Sequence, residues 1–251
     1  MIRIAAVGDI HLGTDTVEDF TRSLASASEE SDLLLLAGDL SRWGDPGEAD
    51  LVTAAVEDLE VPVVAVLGNH DHHAGAPQEF RRRLEDGGIT VLEGESTTIC
   101  CPEGSVGIAG VKGFGGGFVG ASASAFGEPE MKAFVGHTAS IAGGLRDALA
   151  ALDTDVRVAL LRYSPVPDTL HGEPLEIYPF LGSYLLAEAI DDAGATLALH
   201  GHAHAGVERG ATAGGVPVRN VAMPVIRSAY QVYEVAPQPA AASSSATVPG
   251  G

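Results

Sequence analysis

Carboxylate, amide and imidazole side chains follow four apolar, strand-like runs of the chain at the points where the runs end. In chain order they are Asp9 with His11, Asp39, Asn69 with His70 and Asp71, and His202 with His204. Thirty residues separate Asp9 from Asp39, and another thirty separate Asp39 from Asn69. That is the repeat of a strand–helix–strand unit, and ligand sites in open α/β sheets lie at the carboxyl ends of the strands. We therefore expect these side chains to converge on one edge of a sheet.

The spacing within each motif indicates metal chemistry. Asp9 and His11 are two residues apart, as are His202 and His204, so each pair points the same way in extended backbone and can face one ion or straddle two. Oxygen and nitrogen ligands suit Mn²⁺, Fe or Zn²⁺, and the missing thiolate argues against a structural zinc site. Any one of these residues can be explained as a turn residue, a cap or a core histidine. Counting the adjacent His72, His73 and His200, seven of the nine histidines lie in these strand-end clusters, which independent turns and caps would not produce.

The elements that must position these residues can be predicted from apolar runs and turn residues. Strands are predicted at 2–7, 32–37, 61–67, 89–92, 97–101, 106–110, 156–161, 196–200, 216–221 and 231–235. Helices are predicted at 46–59, 77–88, 128–151 and 183–193, with Asp45 as an N-cap and Pro46 at the first helical position of the first. Early strand–helix alternation implies parallel strands, and the later, closely spaced strands suggest hairpins. The prediction is an α/β domain with mixed sheets over residues 1–235.

Two segments lack this periodicity. The glycine-rich stretch 112–120 does not open a helix after a strand, as a dinucleotide-binding loop would, and is predicted to be a flexible loop. The Pro/Ala/Ser-rich stretch 236–251 is predicted to be a disordered tail without a catalytic role.

The composition of the chain limits the classes of partner that it can bind. The 251-residue chain is 45% hydrophobic, enough for a large core, and carries a net charge of −20. Such a charge disfavours nucleic acid and anionic membranes, which bind through basic patches. No apolar run reaches the ~20 residues of a membrane span, and the start of the chain does not read as a signal peptide. We therefore expect a cytoplasmic protein, and the oligomeric state is left open.

The order of the motifs resembles that of the calcineurin-like metallophosphoesterases. The resemblance rests on four motifs: Asp9-x-His11, Gly38-Asp39, Gly68-Asn69-His70-Asp71 and Gly201-His202-x-His204. It implies a sandwich of two mixed β-sheets flanked by helices. It also implies hydrolysis of a small phosphodiester or nucleotide-type substrate by attack of a metal-bound hydroxide.

The resemblance also assigns roles to residues. It implies that Asp9, His11 and His204 bind a first divalent metal and that Asp39 bridges it to a second. Asn69 and His202 would bind the second metal. His70 would act on the leaving oxygen without binding metal, and Asp71 would stabilise its imidazolium.

One position departs from the family pattern. Relatives carry a further ligand histidine at the end of the strand that precedes the Gly-His-x-His motif, and this chain has Arg162 there. Arginine has no lone pair for a metal and stays charged. Three explanations are open, so one or two divalent ions are expected per chain. Arg162 can replace the charge of the second metal and clamp the phosphate bidentately. It can swing away while His171 or His137 supplies the ligand, or the protein can have lost catalysis and kept binding.

Three functions therefore stay under consideration. The first is a metal-dependent phosphoesterase acting on a small substrate. The second is a catalytically weakened metal- and phosphate-binding protein of the same fold. The third is a nucleic-acid phosphodiesterase, which the charge of −20 disfavours.

Overall fold

The computed structural model describes residues 1–237 of the 251. The strands are β1 (Ile2–Val7), β2 (Leu33–Ala37), β3 (Val63–Val66), β4 (Thr90–Val91), β5 (Glu95–Cys101), β6 (Gly104–Val111), β7 (Gly117–Phe118), β8 (Ala121–Ser122), β9 (Val156–Leu161), β10 (Leu197–His200), β11 (Arg209–Ala211), β12 (Pro217–Asn220) and β13 (Gln231–Val235). The α-helices are α1 (Val17–Ser23), α2 (Ala27–Glu30), α3 (Pro46–Val56), α4 (Pro77–Asp86), α5 (Pro129–Ala150), α6 (Tyr178–Leu181), α7 (Tyr184–Asp192) and α8 (Met223–Ile226). The predicted tail falls mainly on residues 238–251, which lie outside the described residues.

Two mixed sheets form the centre of the molecule. The first has the strand order β13-β1-β2-β3-β4, in which only β13 runs antiparallel to its neighbour. The second has the order β11-β12-β10-β9-β6-β5, with four parallel strands between two antiparallel edge strands. Parallel strands need crossover connections, which the helices of the chain provide. This arrangement confirms the predicted fold class.

The central strands are buried on both faces, which explains their unbroken apolar runs. In β2, Leu33 and Leu35 face the second sheet and pack in a core that includes Val158 of β9. Leu34 and Leu36 point the other way, into a core shared with the helices that cover the first sheet. The outer face of the second sheet packs on α5 and α7. The layers are therefore helix, sheet, sheet and helix.

Most of the predicted elements are confirmed, and three strands have the predicted bounds. The Asp45 carboxylate accepts a hydrogen bond from the Gly47 amide, so the predicted N-cap of α3 is also confirmed. The prediction of a loop over 112–120 is partly wrong, because β7 pairs with β8 in a short hairpin. Gly117 stands at φ +89°, where a side chain would be strained, and this allows the tight approach of the two strands. Within the described residues, no helix combines the length and hydropathy that crossing a membrane requires.

We expect Leu35→Ala to lower the free energy of unfolding by about 2–5 kcal/mol, because Leu35 is fully buried between the sheets and truncation leaves a cavity. Leu175→Ala is the matched control, since Leu175 is 73% exposed and its loss should change stability by less than about 0.5 kcal/mol. Urea unfolding of both variants measures the difference. Equal stability of the two variants would contradict this packing of the sheets.

Candidate metal centre

The carboxyl ends of strands from both sheets meet at one edge of the sandwich. Asp9 and Asp39 each stand two residues beyond a strand of the first sheet, β1 and β2 respectively. Arg162 and His202 follow β9 and β10 of the second sheet. Asn69, beyond β3, completes this ring around the Arg162 side chain. The convergence predicted from the 30-residue spacing is therefore found in the structure.

The backbone of this edge is strained. Among the described residues, five that are not glycine have positive φ, and four of them are Asp9, His11, Asp39 and His202. Their φ values lie between +43° and +74°. Such residues cost of the order of 1–3 kcal/mol each and persist only where the surrounding structure holds them. Strain concentrated on the motif residues points to a functional site.

Two glycines leave room for the carboxylates. A Cβ on Gly68 would lie 2.0 Å from Oδ1 of Asp39, and a Cβ on Gly201 would lie 2.4 Å from Oδ2 of Asp9. Both distances are far inside van der Waals contact. The glycines of these motifs are therefore needed for close approach to the carboxylates.

Arg162 is the centre of the cluster. Its side chain is 1% exposed, and its guanidinium forms ion pairs with both Asp9 and Asp39. Nε donates to Oδ1 of Asn69 at 3.3 Å, and Nη2 lies 2.9 Å from Nδ1 of His202. A guanidinium has five N–H donors, so these four contacts leave one donor free.

These contacts count against two details of the explanations offered for Arg162, the bidentate clamp and the swing away from the site, whereas replacement of the second metal's charge stays a prediction. A bidentate phosphate clamp needs two parallel N–H donors, which a buried guanidinium with one free donor does not have. Arg162 also does not swing away to make room for another histidine. His171 is exposed, and its backbone pairs with Glu173. His137 is exposed as well, with its ring 4.8 Å from that of Phe114.

A second group of side chains lies beside the guanidinium on its open side. One ligand atom each from Asp9, His11 and His204 lie within 4.8 Å of one another, and so do ligand atoms of His11, Asp39 and His70. Nε2 of His204 is 2.5 Å from Oδ1 of Asp9. Nε2 of His11 is 4.0 Å from the same oxygen and 3.8 Å from Oδ2 of Asp39. One carboxylate oxygen and two imidazole nitrogens at these distances fit a single borderline cation.

Burial and the charges of the cluster shift the pKa values of its side chains. Burial raises the pKa of Asp9, but the charges and hydrogen bonds of Arg162 and His204 outweigh it and hold that pKa well below its usual range. Burial raises the pKa of Asp39 even beside Arg162, so Asp39 holds its charge less firmly than Asp9. Burial, assisted by the charge of Arg162, lowers the pKa of His202 to about 3. His202 is therefore neutral, and its Nδ1 can accept a hydrogen bond from the guanidinium.

His70 lies at the solvent side of the cluster. Its Nδ1 is 2.8 Å from the backbone carbonyl oxygen of Arg42, so Nδ1 carries a proton that it donates to this oxygen. Its Nε2 is 4.0 Å from Oδ2 of Asp39, and the side chain is 44% exposed. The Arg42 carbonyl thus orients the ring. Sequence reasoning missed this contact because a backbone carbonyl leaves no signal in the residue types.

Asp71 has a different role from the one expected. Its fully buried carboxylate accepts hydrogen bonds from the amides of Leu40, Ser41 and Gly68 and from the Ser41 hydroxyl. Burial and the charge of Asp39 raise its pKa to about 6, so it is still mainly ionised at neutral pH. The expectation that Asp71 supports the imidazolium of His70 is corrected, because the Arg42 carbonyl is the partner of that ring. Asp71 joins the loops after β2 and β3.

The fold, the motifs and a sequence comparison agree on the family. A sequence model of the calcineurin-like phosphoesterases matches residues 2–206, and the chain belongs to this family. Members of the family are hydrolases of phosphoesters that use divalent metals. The metal-binding and catalytic residues of this chain are not assigned by that match.

Individual relatives are more distant. The chain is 35% identical over 80 residues to a probable cyclic nucleotide phosphodiesterase of Synechococcus sp., and the match covers 28% of this chain and 31% of that protein. Phosphopantetheinyl hydrolase from Mycobacterium tuberculosis shares the fold with a TM-score of 0.66 at 17% identity, over 92% of this chain and 95% of that one. GAP50 of Plasmodium, described as the anchor in the inner membrane complex, has a TM-score of 0.52 at 13% identity, over 89% and 72%.

We expect Asp71→Ala to lower the free energy of unfolding by at least about 2 kcal/mol, because it leaves buried amides without acceptors and each such group costs about 1–3 kcal/mol. Asp153→Ala, at an exposed position, is the control and should change stability little. Urea unfolding gives both values. Unchanged stability of Asp71→Ala together with lost activity would restore a direct role in chemistry.

Proposed function

We propose that the chain is a metal-dependent phosphoesterase in which one divalent cation and the Arg162 guanidinium share the place of two metal ions. The substrate would be a small phosphodiester or nucleotide-type ester. The observation that carries this proposal is the buried guanidinium of Arg162, in contact with Asp9, Asp39, Asn69 and His202 at once.

The donor set does not fit a second ion. Asp39, Asn69 and His202 are the side chains that the resemblance assigns to the second metal, and Arg162 contacts all three. Two unit positive charges 4 Å apart repel by about 4 kcal/mol at an effective dielectric constant of 20, and a divalent ion doubles this cost. The guanidinium brings one positive charge to the same ligands without a lone pair of its own.

The donor set does fit one ion on the open side. Asp9, His11 and His204 would hold it, with Asp39 beside them. A divalent cation supplies positive charge against the phosphoryl oxygens and acidifies water. Binding of the metal ion competes with protonation of His204, because the hydrogen bond with Asp9 raises the pKa of His204.

The residues of the chain have three tasks in this scheme. Arg162 keeps Asp9 ionised and fixes the positions of both carboxylates. The Arg42 carbonyl holds His70 through Nδ1–H and leaves Nε2 free, so when the ring is protonated on both nitrogens Nε2 can donate a proton to the leaving oxygen. The glycines beside the carboxylates let the neighbouring backbone pack close to them. The name of the Synechococcus relative supports a nucleotide-type diester as the substrate class.

A catalytically weakened binding protein is the second candidate. It is favoured by the same ion pairs, because a cation beside Asp9 and Asp39 lowers their affinity for a metal. Turnover of bis-p-nitrophenyl phosphate with added Mn²⁺ supports the first candidate. A protein that binds Mn²⁺ or phosphate without turnover supports the second. Nucleic acid is the least favoured substrate, given the net charge of −20.

We expect Arg162→His to raise bound metal from near one toward two ions per chain, because it replaces the repelling cation by an imidazole ligand. Arg157→His is the matched control on the same strand, since Arg157 bonds the Ala193 carbonyl away from the cluster, and its metal content should equal that of the native protein. Metal analysis of the purified proteins measures both. Two tightly bound ions in the native chain, unchanged in Arg162→His, would mean that Arg162 does not exclude the second ion.

We expect His70→Gln to lower kcat by about 10²–10⁴ for esters with poor leaving groups and much less for p-nitrophenyl esters, whose leaving group needs no proton. His73→Gln, three residues along in the same loop and exposed, is the control and should retain activity on both. Steady-state rates on the two ester classes give the comparison. An equal loss on both classes in His70→Gln would argue against proton donation.

A further inference from the structure

A cavity of about 430 Å³ lies beside the metal centre, at the same edge of the sandwich. We call it the Lys112 cavity. Its polar side chains are Lys112, His72, Glu93, His137 and Ser140, and Val111 and Ile141 contribute apolar surface. These residues come from the ends of β4 and β6, the loop after β3, and helix α5. The proposed metal site gives none of them a role, and His137 was considered above only as a substitute ligand.

The ammonium group of Lys112 has unused hydrogen-bond donors. Nζ lies 5.1 Å from the ring centre of Phe114 and 5.4 Å from that of Tyr163. Its hydrogen bond in the described part of the chain is a long one, 3.5 Å, to the carbonyl of Gly113. An ammonium can donate three hydrogen bonds. Within residues 1–237 no carboxylate lies within ion-pair distance of Nζ, whereas most arginines of the chain have such a partner.

His72 contributes a second unsatisfied atom. Its Nε2 is shielded from solvent and has no hydrogen-bond partner, the one buried side-chain nitrogen or oxygen in that state among the described residues. A buried polar atom without a partner costs about 1–3 kcal/mol, so its presence calls for an explanation. A ligand that accepts hydrogen bonds from both Nζ and Nε2 would supply one.

Glu93 cancels the positive charge of Lys112 only in part at neutral pH. Its carboxylate accepts a hydrogen bond from the Leu67 amide at 3.2 Å. Burial raises the pKa of Glu93 to about 7, so about half of its population is uncharged at neutral pH. The cavity therefore combines a lysine with a carboxyl group that is easily protonated, in a protein whose net charge of −20 repels anions elsewhere.

The cavity lies next to the metal centre. The carbonyl of Lys112 accepts hydrogen bonds from the amides of Arg162 and Tyr163, both at 3.0 Å. The Tyr163 ring lies 4.5 Å from that of His202, so one aromatic ring separates Lys112 from the cluster. Burial lowers the pKa of Lys112, and the negative charges of Glu93 and Asp39 offset part of this effect.

We propose that the Lys112 cavity binds an oxyanion, a phosphoryl or carboxylate group, through Nζ of Lys112 and Nε2 of His72. This anion is either a second anionic group of the substrate or a free anion bound beside it. The site itself stands on its own geometry. Only its assignment to the substrate rests on the proposed phosphoesterase function.

Calorimetric titration of inorganic phosphate into the metal-loaded full chain tests the site. We expect two phosphate sites per chain, one at the metal centre and one in the cavity. Lys112→Met should weaken the cavity site at least about tenfold, because it removes a charged donor. Glu93→Gln keeps the shape, removes the carboxylate charge and should strengthen that site by about twofold near pH 7 and by more at higher pH, where native Glu93 is ionised. Lys132→Met, which changes the other lysine of the chain, should alter neither site.

His72→Phe provides a second probe that leaves the lysine in place and should also weaken the cavity site. Asp39→Asn should affect the metal-centre site and spare the cavity site. Phosphate binding that is identical in the native chain, Lys112→Met and His72→Phe would overturn the proposal. If only the metal-centre site failed to appear, the phosphoesterase function would fall while the cavity site stood.

Two substrates with the same leaving group distinguish the sources of the anion. They are p-nitrophenyl thymidine 5′-phosphate and the same ester with an added 3′-phosphate. If the cavity takes part of the substrate, Lys112→Met should raise KM at least about tenfold for the 3′-phosphorylated ester and leave KM of the other ester unchanged. If it takes a free anion, Lys112→Met should weaken phosphate binding and leave both KM values unchanged. Either pattern supports the site.

Discussion

The ion pairs of Arg162 with Asp9 and Asp39 are the interaction on which this edge of the molecule depends. The two carboxylates follow strands of one sheet and the arginine follows a strand of the other, so the pairs join the sheets across the sandwich. A buried charge is tolerated only when it is paired, and removing one partner of such a pair typically costs about 3–5 kcal/mol. Asp9 and Asp39 are therefore each held in place by Arg162, and Arg162 is held by both of them.

The same ion pairs decide what chemistry is available. A metal ion exchanges its ligands and water, whereas a guanidinium is covalently tied to the chain and brings a fixed charge. Under the proposed function, part of the positive charge that a phosphoester site needs would come from Arg162, directly after β9. The glycines and the strained residues around it make room for this arrangement, at a cost in stability that the packed cores on either side must offset.

Two basic side chains, Arg162 and Lys112, lie close together at one edge of a strongly acidic molecule. Arg162 and Lys112 end neighbouring strands of the second sheet and are linked through backbone hydrogen bonds. Elsewhere most arginines are paired with surface carboxylates. Acidic residues still outnumber basic ones, 34 to 14, so the exterior carries most of the net charge of −20. An anionic ligand is repelled by most of the surface, and at this edge Lys112 is the cation without a carboxylate partner among residues 1–237, because Arg162 is already paired with Asp9 and Asp39.

The sequence by itself determined the strands, the larger helices, the Asp45 cap and the edge at which the motifs meet, because these follow from local periodicity and the 30-residue repeat. It also exposed Arg162 as a departure from the pattern. Only the tertiary structure decided how Arg162 and Asp71 use their hydrogen-bonding groups. Arg162 pairs with Asp9 across 153 residues of sequence, and Asp71 accepts from a loop some 30 residues away. Which donors meet which acceptors depends on atoms brought together from both sheets, and residue types alone do not specify that.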